Sequence, residues 1–313
     1  MNEVSNETRF LHALEIGMGG QQWGDRVIWG YGQTHTDKDI REAFQTSLNL
    51  GVRFIDTAEI YGSGKSERII GALLKETDQP VLVATKFFPM PWRLTKHSIP
   101  RALKGSLERL GLETVDLYQV HWPSPLMSPE TFMEGMALCV KEGLTRTVGV
   151  SNFWKQRIIR AYSALSQHGI PLASNQLPFS LLNRTAEKTG TLTRCKELGI
   201  RVIAYSPLEQ GLLTGKYTVA SPPPGLRSSH YFDLIKKLPP IIKALQEVGQ
   251  NHGKTVAQVA LNWVICKGAL PIPGAKNAKQ AEENAGGAGW RMTDDEVAKL
   301  DAVTDGIREY PKE

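Results

Sequence analysis

The sequence has no long apolar run and no apolar stretch near its amino terminus. A membrane-spanning helix needs about 18 or more consecutive apolar residues. The 313 residues contain no such run, although 41% of them are hydrophobic. Residues 1–9 are polar and of mixed charge, which is untypical of a secretory signal. We therefore expect a protein with no membrane association and a cytoplasmic location.

Cysteine is also scarce. The three cysteines, Cys139, Cys195 and Cys266, are far apart and odd in number, and none has a neighbour at metal-ligand spacing. A disulfide framework and a cysteine-bound metal are therefore not expected. The pattern indicates reduced, mostly buried thiols and no bound metal.

The net charge of +5 comes without a basic cluster, because lysines and arginines alternate with acidic residues along the chain. Proteins that bind nucleic acid concentrate their basic residues on one face or in one run. We expect a mildly basic, solvated surface and no nucleic-acid partner. Part of the excess positive charge is available to a phosphorylated cofactor.

What the chain does contain is a regular alternation of strand and helix patterns. Short apolar runs end, at intervals of about 25–35 residues, in polar side chains, and one strand-helix unit of an eight-fold barrel takes about 31 residues. The pattern predicts one domain, residues 1–313, folded as an α/β (β/α)8 TIM barrel with its active site at the C-terminal face of the strands. The residues at the strand ends are Asp56, Lys86, His121, Ser151, Asn152, Gln176 and Tyr205.

The predicted elements are placed by apolar periodicity and by turn residues. The interval from Tyr205 to Pro273 is about twice the usual length and includes a proline-rich loop at 221–225, so we expect extra helices there. A doubly wound sheet is the alternative fold, but the Gly-x-Gly-x-x-Gly turn typical of it is missing. Strands are expected near 14–20, 52–55, 81–85, 115–120, 147–150, 171–174, 201–204 and 269–272, and helices near 37–50, 66–74, 99–110, 129–141, 155–168, 191–198, 240–252, 256–267 and 293–303.

Four side chains form a candidate catalytic set. Taken singly, Asp56 could cap a turn, Lys86 could extend to the rim, Tyr61 could pack in a loop and His121 could be a core histidine. Their occurrence at or just past consecutive strand ends favours a joint role instead. A free phenol has a pKa near 10, and a close ammonium group is expected to lower it.

In this hypothesis each of the four residues has its own task. Tyr61 donates a proton, Lys86 lowers the pKa of that phenol, Asp56 pairs with the lysine, and His121 orients a carbonyl oxygen. The set contains an acid and an oxyanion site but no reductant, so the hydride must come from a cofactor.

At these positions Asp56, Tyr61, Lys86 and His121 resemble the catalytic tetrad of the aldo-keto reductases. The resemblance extends over residues 17–284 and implies a (β/α)8 barrel that reduces an aldehyde or ketone with NADP(H). It also implies a set of cofactor contacts. These are Gly20, Gln21, Asp56, Ser151, Asn152, Gln176, Tyr205, Ser206, Pro207, Leu208, Gly211, Leu212, Lys216, Arg227, Pro273, Gly274, Ala275, Lys276, Gln280, Glu283 and Asn284.

Within that set, the resemblance divides the cofactor by region. Ser151, Asn152 and Gln176 match the residues that hold the nicotinamide carboxamide, and Tyr205 matches the aromatic ring on which the nicotinamide stacks. The segment from Ser206 to Lys216 matches the part that folds over the pyrophosphate. Lys276 lies beside a predicted helix start, where a cation and helix N–H groups suit a 2′-phosphate, so NADPH is expected over NADH.

The substrate side is predicted from aromatic residues. Trp122 directly follows His121, as in many members of the family, and Phe88 follows the Lys86 strand. Many relatives have threonine and tryptophan where this sequence has Gly20 and Gln21, so Trp23 is expected to supply the aromatic wall or else to belong to the scaffold. An aromatic mouth of this kind suits aromatic or apolar aldehydes.

Two other functions remain open. Some barrels of this family are channel subunits with weak reductase activity, so an NADP-binding regulatory or interaction protein is the alternative. A phosphate-binding barrel isomerase would need a glycine-rich phosphate loop, which is missing, and would leave Ser151 and Asn152 unexplained. The expected partner is a small carbonyl compound, and the chain is expected to be a monomer or a weak homo-oligomer.

Overall fold

The computed structural model describes residues 6–26, 29–224, 229 and 231–307. In these residues eight parallel strands form one sheet in the order of the sequence. The strands are β1 (Met18–Gly19), β2 (Phe54–Asp56), β3 (Leu82–Phe87), β4 (Val115–Val120), β5 (Thr145–Ser151), β6 (Leu172–Pro178), β7 (Arg201–Tyr205) and β8 (Leu270–Pro271).

Backbone hydrogen bonds from the first strand region to the last close the sheet into a barrel. Gly17 N–H donates to the Pro271 carbonyl at 3.0 Å, and Gly19 N–H donates to the Pro273 carbonyl at 3.0 Å. A Cβ atom at Gly19 would lie only 2.7 Å from the Ile272 carbonyl oxygen, so the close approach requires glycine there. The predicted (β/α)8 barrel is confirmed.

The helices surround this barrel, and most agree with the predicted ranges to within a few residues. α1 closes the N-terminal end, where Leu11 packs with Phe54 and Ala84 inside the barrel. The helices are α1 (Arg9–Ala13), α2 (Asp37–Asn49), α3 (Lys65–Leu74), α4 (Ser98–Leu110), α5 (Pro129–Lys141), α6 (Lys155–Ser166), α7 (Thr185–Lys188), α8 (Thr191–Glu197), α9 (Phe232–His252), α10 (Val256–Cys266), α11 (Ala278–Ala285) and α12 (Asp294–Val303).

Several elements differ from the prediction. β1 and β8 have only two residues each, and the short helices α1 and α7 were not predicted. The helix expected to begin at Pro240 begins eight residues earlier, at Phe232, and includes Pro239 and Pro240 in its interior. Proline normally disfavours a helix interior, but Ile235 and Leu238 upstream are buried, so packing on the barrel overrides the local preference.

Alternation along the strands explains why polar residues meet at the C-terminal end of the barrel. Phe54, Ala84 and Leu117 belong to one cluster inside the barrel. Side chains two residues apart in a strand point to the same side, and two residues further along β2, β3 and β4 stand Asp56, Lys86 and Gln119. The apolar interior is therefore covered by a polar layer at the barrel mouth.

The remaining observations concern membranes and thiols. None of the helices in the described part of the chain is both long and apolar enough to cross a membrane. The cysteines Cys139 and Cys195 are free and buried, and Cys266 is free and partly buried.

Candidate active site

A buried lysine lies at the centre of the polar layer. Lys86 is the penultimate residue of β3 and has no exposed side-chain surface. Its ammonium donates hydrogen bonds to the Asp56 carboxylate and to the Thr57 carbonyl, the latter at 2.7 Å. It also lies 3.5 Å from the Tyr61 hydroxyl. A buried ammonium is tolerated only where a counter-charge and acceptors replace water, and Asp56 and Thr57 supply both.

Tyr61 begins a tight 3-10 turn, Tyr61–Gly64, which follows β2 after a loop of four residues. Gly62 has a φ of 55° there, and a Cβ on it would lie 2.7 Å from the Gly24 carbonyl oxygen. The turn places the phenol ring against His121, with ring centroids 5.5 Å apart and nearly perpendicular planes. The structure thus brings together all four side chains predicted to form the tetrad.

The pKa of Tyr61 results from opposing influences. Burial raises the pKa of the phenol, Lys86 opposes this shift, and Asp56 adds to it, so the net direction is upward. Lys86 lowers the pKa of Tyr61 as expected, but loss of hydration disfavours the phenolate more than one partly neutralised ammonium favours it, so burial sets the net direction. Burial by itself lowers the pKa of Lys86, but Asp56 and Tyr61 together raise it above the ordinary value.

Two glutamines support the Asp56 carboxylate from the opposite side. The side-chain amides of Gln176 and Gln119 donate to Asp56 Oδ2 at 2.8 and 3.2 Å. Ser174 in turn donates to Gln119 Oε1 at 3.1 Å. Gln119 and Ser174 were not predicted as site residues. The available signal was a polar residue on the same side of β4 as the apolar Leu117, two residues before His121.

His121 directly follows β4 and is neutral by virtue of its surroundings. Burial lowers its pKa well below the ordinary value, and the nearby Lys86 ammonium lowers it further. The imidazole packs edge-on against Phe88 with centroids 5.7 Å apart. The Asn152 side chain donates to its backbone carbonyl at 3.1 Å. A neutral imidazole at this place can share a hydrogen bond with a carbonyl oxygen.

The predicted carboxamide site forms one connected group. Asn152, with a left-handed φ of 62°, donates to the Ser151 hydroxyl at 3.1 Å, and Ser151 donates to the Gln176 carbonyl at 2.9 Å. The Tyr205 hydroxyl donates to Asn152 Oδ1 at 3.0 Å. This bond holds the Tyr205 ring at the wall of the cavity, as a stacking surface requires.

A cavity of about 500 Å³ extends from Asp56 and Tyr61 along this wall to Lys276. It contains most of the predicted cofactor residues and several that were not predicted, among them Gln22, Gln210, Thr214, Tyr217, Asn277 and Lys279. The predicted residues that line it are Gly20, Gln21, Asp56, Gln176, Tyr205, Ser206, Pro207, Leu208, Gly211, Lys216, Pro273, Gly274, Lys276, Gln280, Glu283 and Asn284.

Some predicted cofactor residues lie elsewhere. The side chain of Leu212 is fully buried in the core, because it faces inward from the 3-10 turn Glu209–Thr214. Ala275 is buried against Ala43 and Ala281. Arg227 lies outside the described residues. The side chains of Leu212 and Ala275 therefore do not line this cavity, and Ser151 and Asn152 are not among its lining residues either. The cofactor contacts of these four residues stay predictions.

The far end of the cavity is basic and next to a helix start. Asn277 caps α11 by accepting a hydrogen bond from Gln280 N–H at 3.0 Å. Lys276 lies just before the cap, and its ammonium donates to the Trp29 carbonyl at 2.7 Å and the Thr34 hydroxyl at 3.2 Å. Among the described residues no group of three or more His, Cys, Asp or Glu could hold a metal ion.

Of the three aromatic residues predicted for the substrate side, two adjoin His121. Phe88 contacts His121, and Trp122 is 46% exposed beside it in sequence. Trp23 is only 1% exposed, packs on Phe44, and donates from its indole N–H to the Ala275 carbonyl at 2.8 Å. Of the two expectations for Trp23, burial therefore supports scaffold and corrects the expectation of a substrate wall.

Comparison with known proteins gives a consistent result. The model of the Aldo/keto reductase family matches residues 15–305. The chain is 39% identical to the chloroplastic pyridoxal reductase of Arabidopsis thaliana, over 96% of this chain and 85% of that protein. It is 28% identical to an L-glyceraldehyde 3-phosphate reductase of Escherichia coli O157:H7, over 89% and 88%.

Solved structures agree. The glycerol dehydrogenase from Gluconobacter oxydans is similar with a TM-score of 0.82 and 27% identity, covering 96% of this chain and 94% of that one. An aldo-keto reductase from Klebsiella pneumoniae, solved in complex with NADPH, has a TM-score of 0.73 and 27% identity, over 96% and 92%. With a barrel of this topology, a clustered tetrad and a match over nearly its whole length, the chain belongs to the aldo/keto reductase family.

Proposed function

We propose that this chain is an NADPH-dependent oxidoreductase that reduces an aldehyde or ketone to an alcohol, with the described barrel as a single catalytic domain. One observation carries the proposal: the Tyr61 hydroxyl lies 3.5 Å from the buried Lys86 ammonium, and Tyr61 lines the cavity that also contains the predicted cofactor residues. An acid and a dinucleotide-sized cleft thus share one wall.

The residues present fit a dinucleotide. The cleft is continuous from the tetrad to Lys276, so one extended molecule would contact both ends. Gln176 donates its amide N–H to Asp56 and retains Oε1 to accept from a carboxamide. The basic end with its capped helix suits a phosphate. When bound, the cofactor supplies the hydride, and it is the type of cofactor named for the Klebsiella pneumoniae neighbours, which were solved with NADP and NADPH.

In this proposal Tyr61 protonates the oxygen of the reacting carbonyl. Because its pKa is raised, the phenol holds its proton at neutral pH, and Lys86 stabilises the phenolate left after transfer. Asp56 maintains the charge on Lys86. The neutral His121 hydrogen-bonds the carbonyl oxygen and directs it toward the phenol.

For the substrate we propose an aromatic aldehyde. Phe88 stands against His121, and Trp122 adds a half-exposed indole, so a planar ring finds apolar surface near the acid. Pyridoxal is the first compound to test, since the Arabidopsis thaliana relative is named a pyridoxal reductase. The free cysteines are compatible with a reducing compartment, and a cytoplasmic location is part of the proposal.

Substitution of Tyr61 tests the function directly. Tyr61→Phe removes only the hydroxyl, so we expect kcat for aldehyde reduction to fall about 10²–10⁴-fold, the usual contribution of a general acid. The affinity for NADPH, measured by fluorescence quenching, should stay unchanged. Tyr162→Phe on the outer helix α6 is the matched control and should retain full activity. Unchanged turnover in Tyr61→Phe would refute the assignment, and NADPH binding without turnover in the wild type would favour a regulatory protein.

A further inference from the structure

An ion pair that belongs to none of the catalytic contacts lies beside the tetrad. Glu59 is in the loop between Asp56 and Tyr61, and Arg93 is in the loop after β3. Their side chains make two hydrogen bonds, Arg93 Nη1 to Glu59 Oε1 at 2.5 Å and Arg93 Nη2 to Glu59 Oε2 at 3.0 Å. The side chains are only 10% and 23% exposed, so the pair is partly shielded from water. Such a two-bond pair has a defined geometry that a single point charge lacks.

The pair holds both backbone polar groups of Phe88. The Phe88 N–H donates to Glu59 Oε1 at 2.7 Å, and Arg93 Nη1 donates to the Phe88 carbonyl at 3.0 Å. The guanidinium also lies over the ring of the fully buried Phe87, 5.3 Å from its centroid. The loop is thus fastened at one residue from both sides, immediately after the strand that carries Lys86.

Phe88 is the residue through which this arrangement reaches the site. Its ring packs perpendicular to the His121 imidazole, with centroids 5.7 Å apart, while Tyr61 packs on the same imidazole at 5.5 Å. His121 therefore lies between the proton donor and a ring whose backbone is held by the ion pair. A shift of the Phe88 backbone would move an apolar wall of the site, but it would not break any contact among the four residues Asp56, Tyr61, Lys86 and His121.

We propose that Glu59 and Arg93 are positioning residues that hold Phe88 as a wall of the substrate site and so determine the preference for planar aromatic aldehydes. The inference rests on the proposed reductase function. It assigns neither residue to proton or hydride transfer. It predicts an effect on substrate binding that depends on the shape of the substrate, because a small aliphatic aldehyde does not need the wall.

The test compares Arg93→Met with wild type on two substrates, pyridoxal and propionaldehyde. For pyridoxal we expect kcat/KM to fall about 10-fold or more, the range for loss of apolar contact in a pocket, mainly through KM. For propionaldehyde the change should stay below about 2-fold, and NADPH affinity should not change. Arg160→Met is the matched control, since Arg160 makes a similar two-bond pair with Glu130 on the exposed outer helices. This variant should leave kcat/KM unchanged for both substrates.

Two further variants separate positioning from a general loss of structure. Phe88→Ala should reproduce the loss for pyridoxal, and adding Arg93→Met to it should cost little more, because residues that act through one contact are not additive. Arg93→Lys keeps the positive charge but not the planar guanidinium that makes two parallel hydrogen bonds. Its kcat/KM for pyridoxal should therefore lie between those of wild type and Arg93→Met.

Equal losses on both aldehydes, additive losses in the double variant, or no loss for pyridoxal would each overturn the inference. If Arg93→Met no longer binds NADPH, that variant has lost its structure, and the comparison of pyridoxal with propionaldehyde is made on Arg93→Lys instead. In all these outcomes the wild type still reduces an aldehyde and still depends on Tyr61. Failure of the proposed function is recognised separately, as absence of turnover in the wild type or independence from Tyr61.

Discussion

The proposed cofactor side and the proposed substrate side of the barrel mouth are built in different ways. On the proposed cofactor side, Gln176, Ser151 and Asn152 are buried at strand ends and bonded to one another and to Asp56. On the proposed substrate side, the loops after β3 and β4 carry exposed apolar residues, with Trp92 75% and Trp122 46% exposed. The first arrangement depends on the barrel itself, whereas the second depends on loop contacts such as the Glu59–Arg93 pair.

This difference has a physical consequence. A residue within the buried network cannot change without leaving a polar partner unsatisfied, which costs free energy of unfolding. A residue of the substrate loops can change with little effect on the barrel. In the proposed function, the two sides therefore allow substrate preference to vary while Tyr61 and the charge network around Lys86 stay intact. Four experiments beyond those on Tyr61 and Arg93 test this contrast.

The largest effect is expected from the centre of the buried network. Lys86→Met leaves Asp56 as an unpaired buried carboxylate, so the free energy of unfolding should fall by about 3–5 kcal/mol and reduction should stop. Chemical denaturation and aldehyde turnover measure the two effects. Adding Asp56→Asn removes the stranded charge, so stability should partly return while activity does not. An intact stability in Lys86→Met would contradict the network as described.

The next largest effect is expected from two lysines of the cavity that have different proposed roles in cofactor binding. Lys276→Met should weaken NADPH binding about 10–100-fold, the equivalent of one charge-assisted hydrogen bond, and leave NADH binding unchanged because NADH lacks the 2′-phosphate. Lys216→Met, which alters another lysine of the same cavity, should weaken both cofactors alike. Fluorescence titration gives the Kd values. Equal losses for the two cofactors in Lys276→Met would place the phosphate elsewhere.

A glycine beneath the tetrad allows a smaller perturbation. A Cβ on Gly149 would collide with the Ser174 hydroxyl and lie 3.0 Å from the Ser174 carbonyl. Gly149→Ala should therefore lower the free energy of unfolding by about 1–3 kcal/mol and reduce kcat, because Ser174 holds Gln119 against Asp56. Adding Ser174→Ala to Gly149→Ala removes the colliding hydroxyl but also its hydrogen bond to Gln119. The double variant should therefore recover more of the stability than of kcat. Gly105→Ala in α4, where the backbone is not left-handed and the added Cβ meets only the end of the Arg109 side chain at 3.4 Å, is the control for losing a glycine without a steric clash.

The smallest effect concerns pH. The pKa of His121 is lowered well below its ordinary value in the folded state, whereas the unfolded chain binds a proton near pH 6.5. Below that pH the unfolded state takes up more protons, so His121 should reduce stability by up to about 1.4 kcal/mol for each pH unit, and should have no effect above it. His121→Gln should show a correspondingly shallower loss of stability on acidification. Identical pH profiles would mean that the fold does not lower the pKa of His121.

Much of the barrel could be predicted from the chain because its signals are local. The interval between strand ends is close to one strand-helix unit, and polar residues such as Asp56 and Lys86 follow the short apolar runs of the strands. Both features need only neighbouring residues, and both are confirmed. The start of α9 could not be predicted, since Pro239 and Pro240 argue locally against a helix that packing of Ile235 and Leu238 stabilises.

In the site, too, some features follow from local sequence and others only from tertiary packing. The sequence by itself determined which polar residues follow which strands, and so which family the tetrad resembles, because side-chain chemistry and spacing are written along the chain. Only the tertiary structure decided that Trp23 is buried, that Gln119 and Ser174 support Asp56, that Glu59 meets Arg93, and that burial outweighs Lys86 in setting the pKa of Tyr61. Each of these depends on distances between segments remote in sequence and on the water they exclude, which no local pattern encodes.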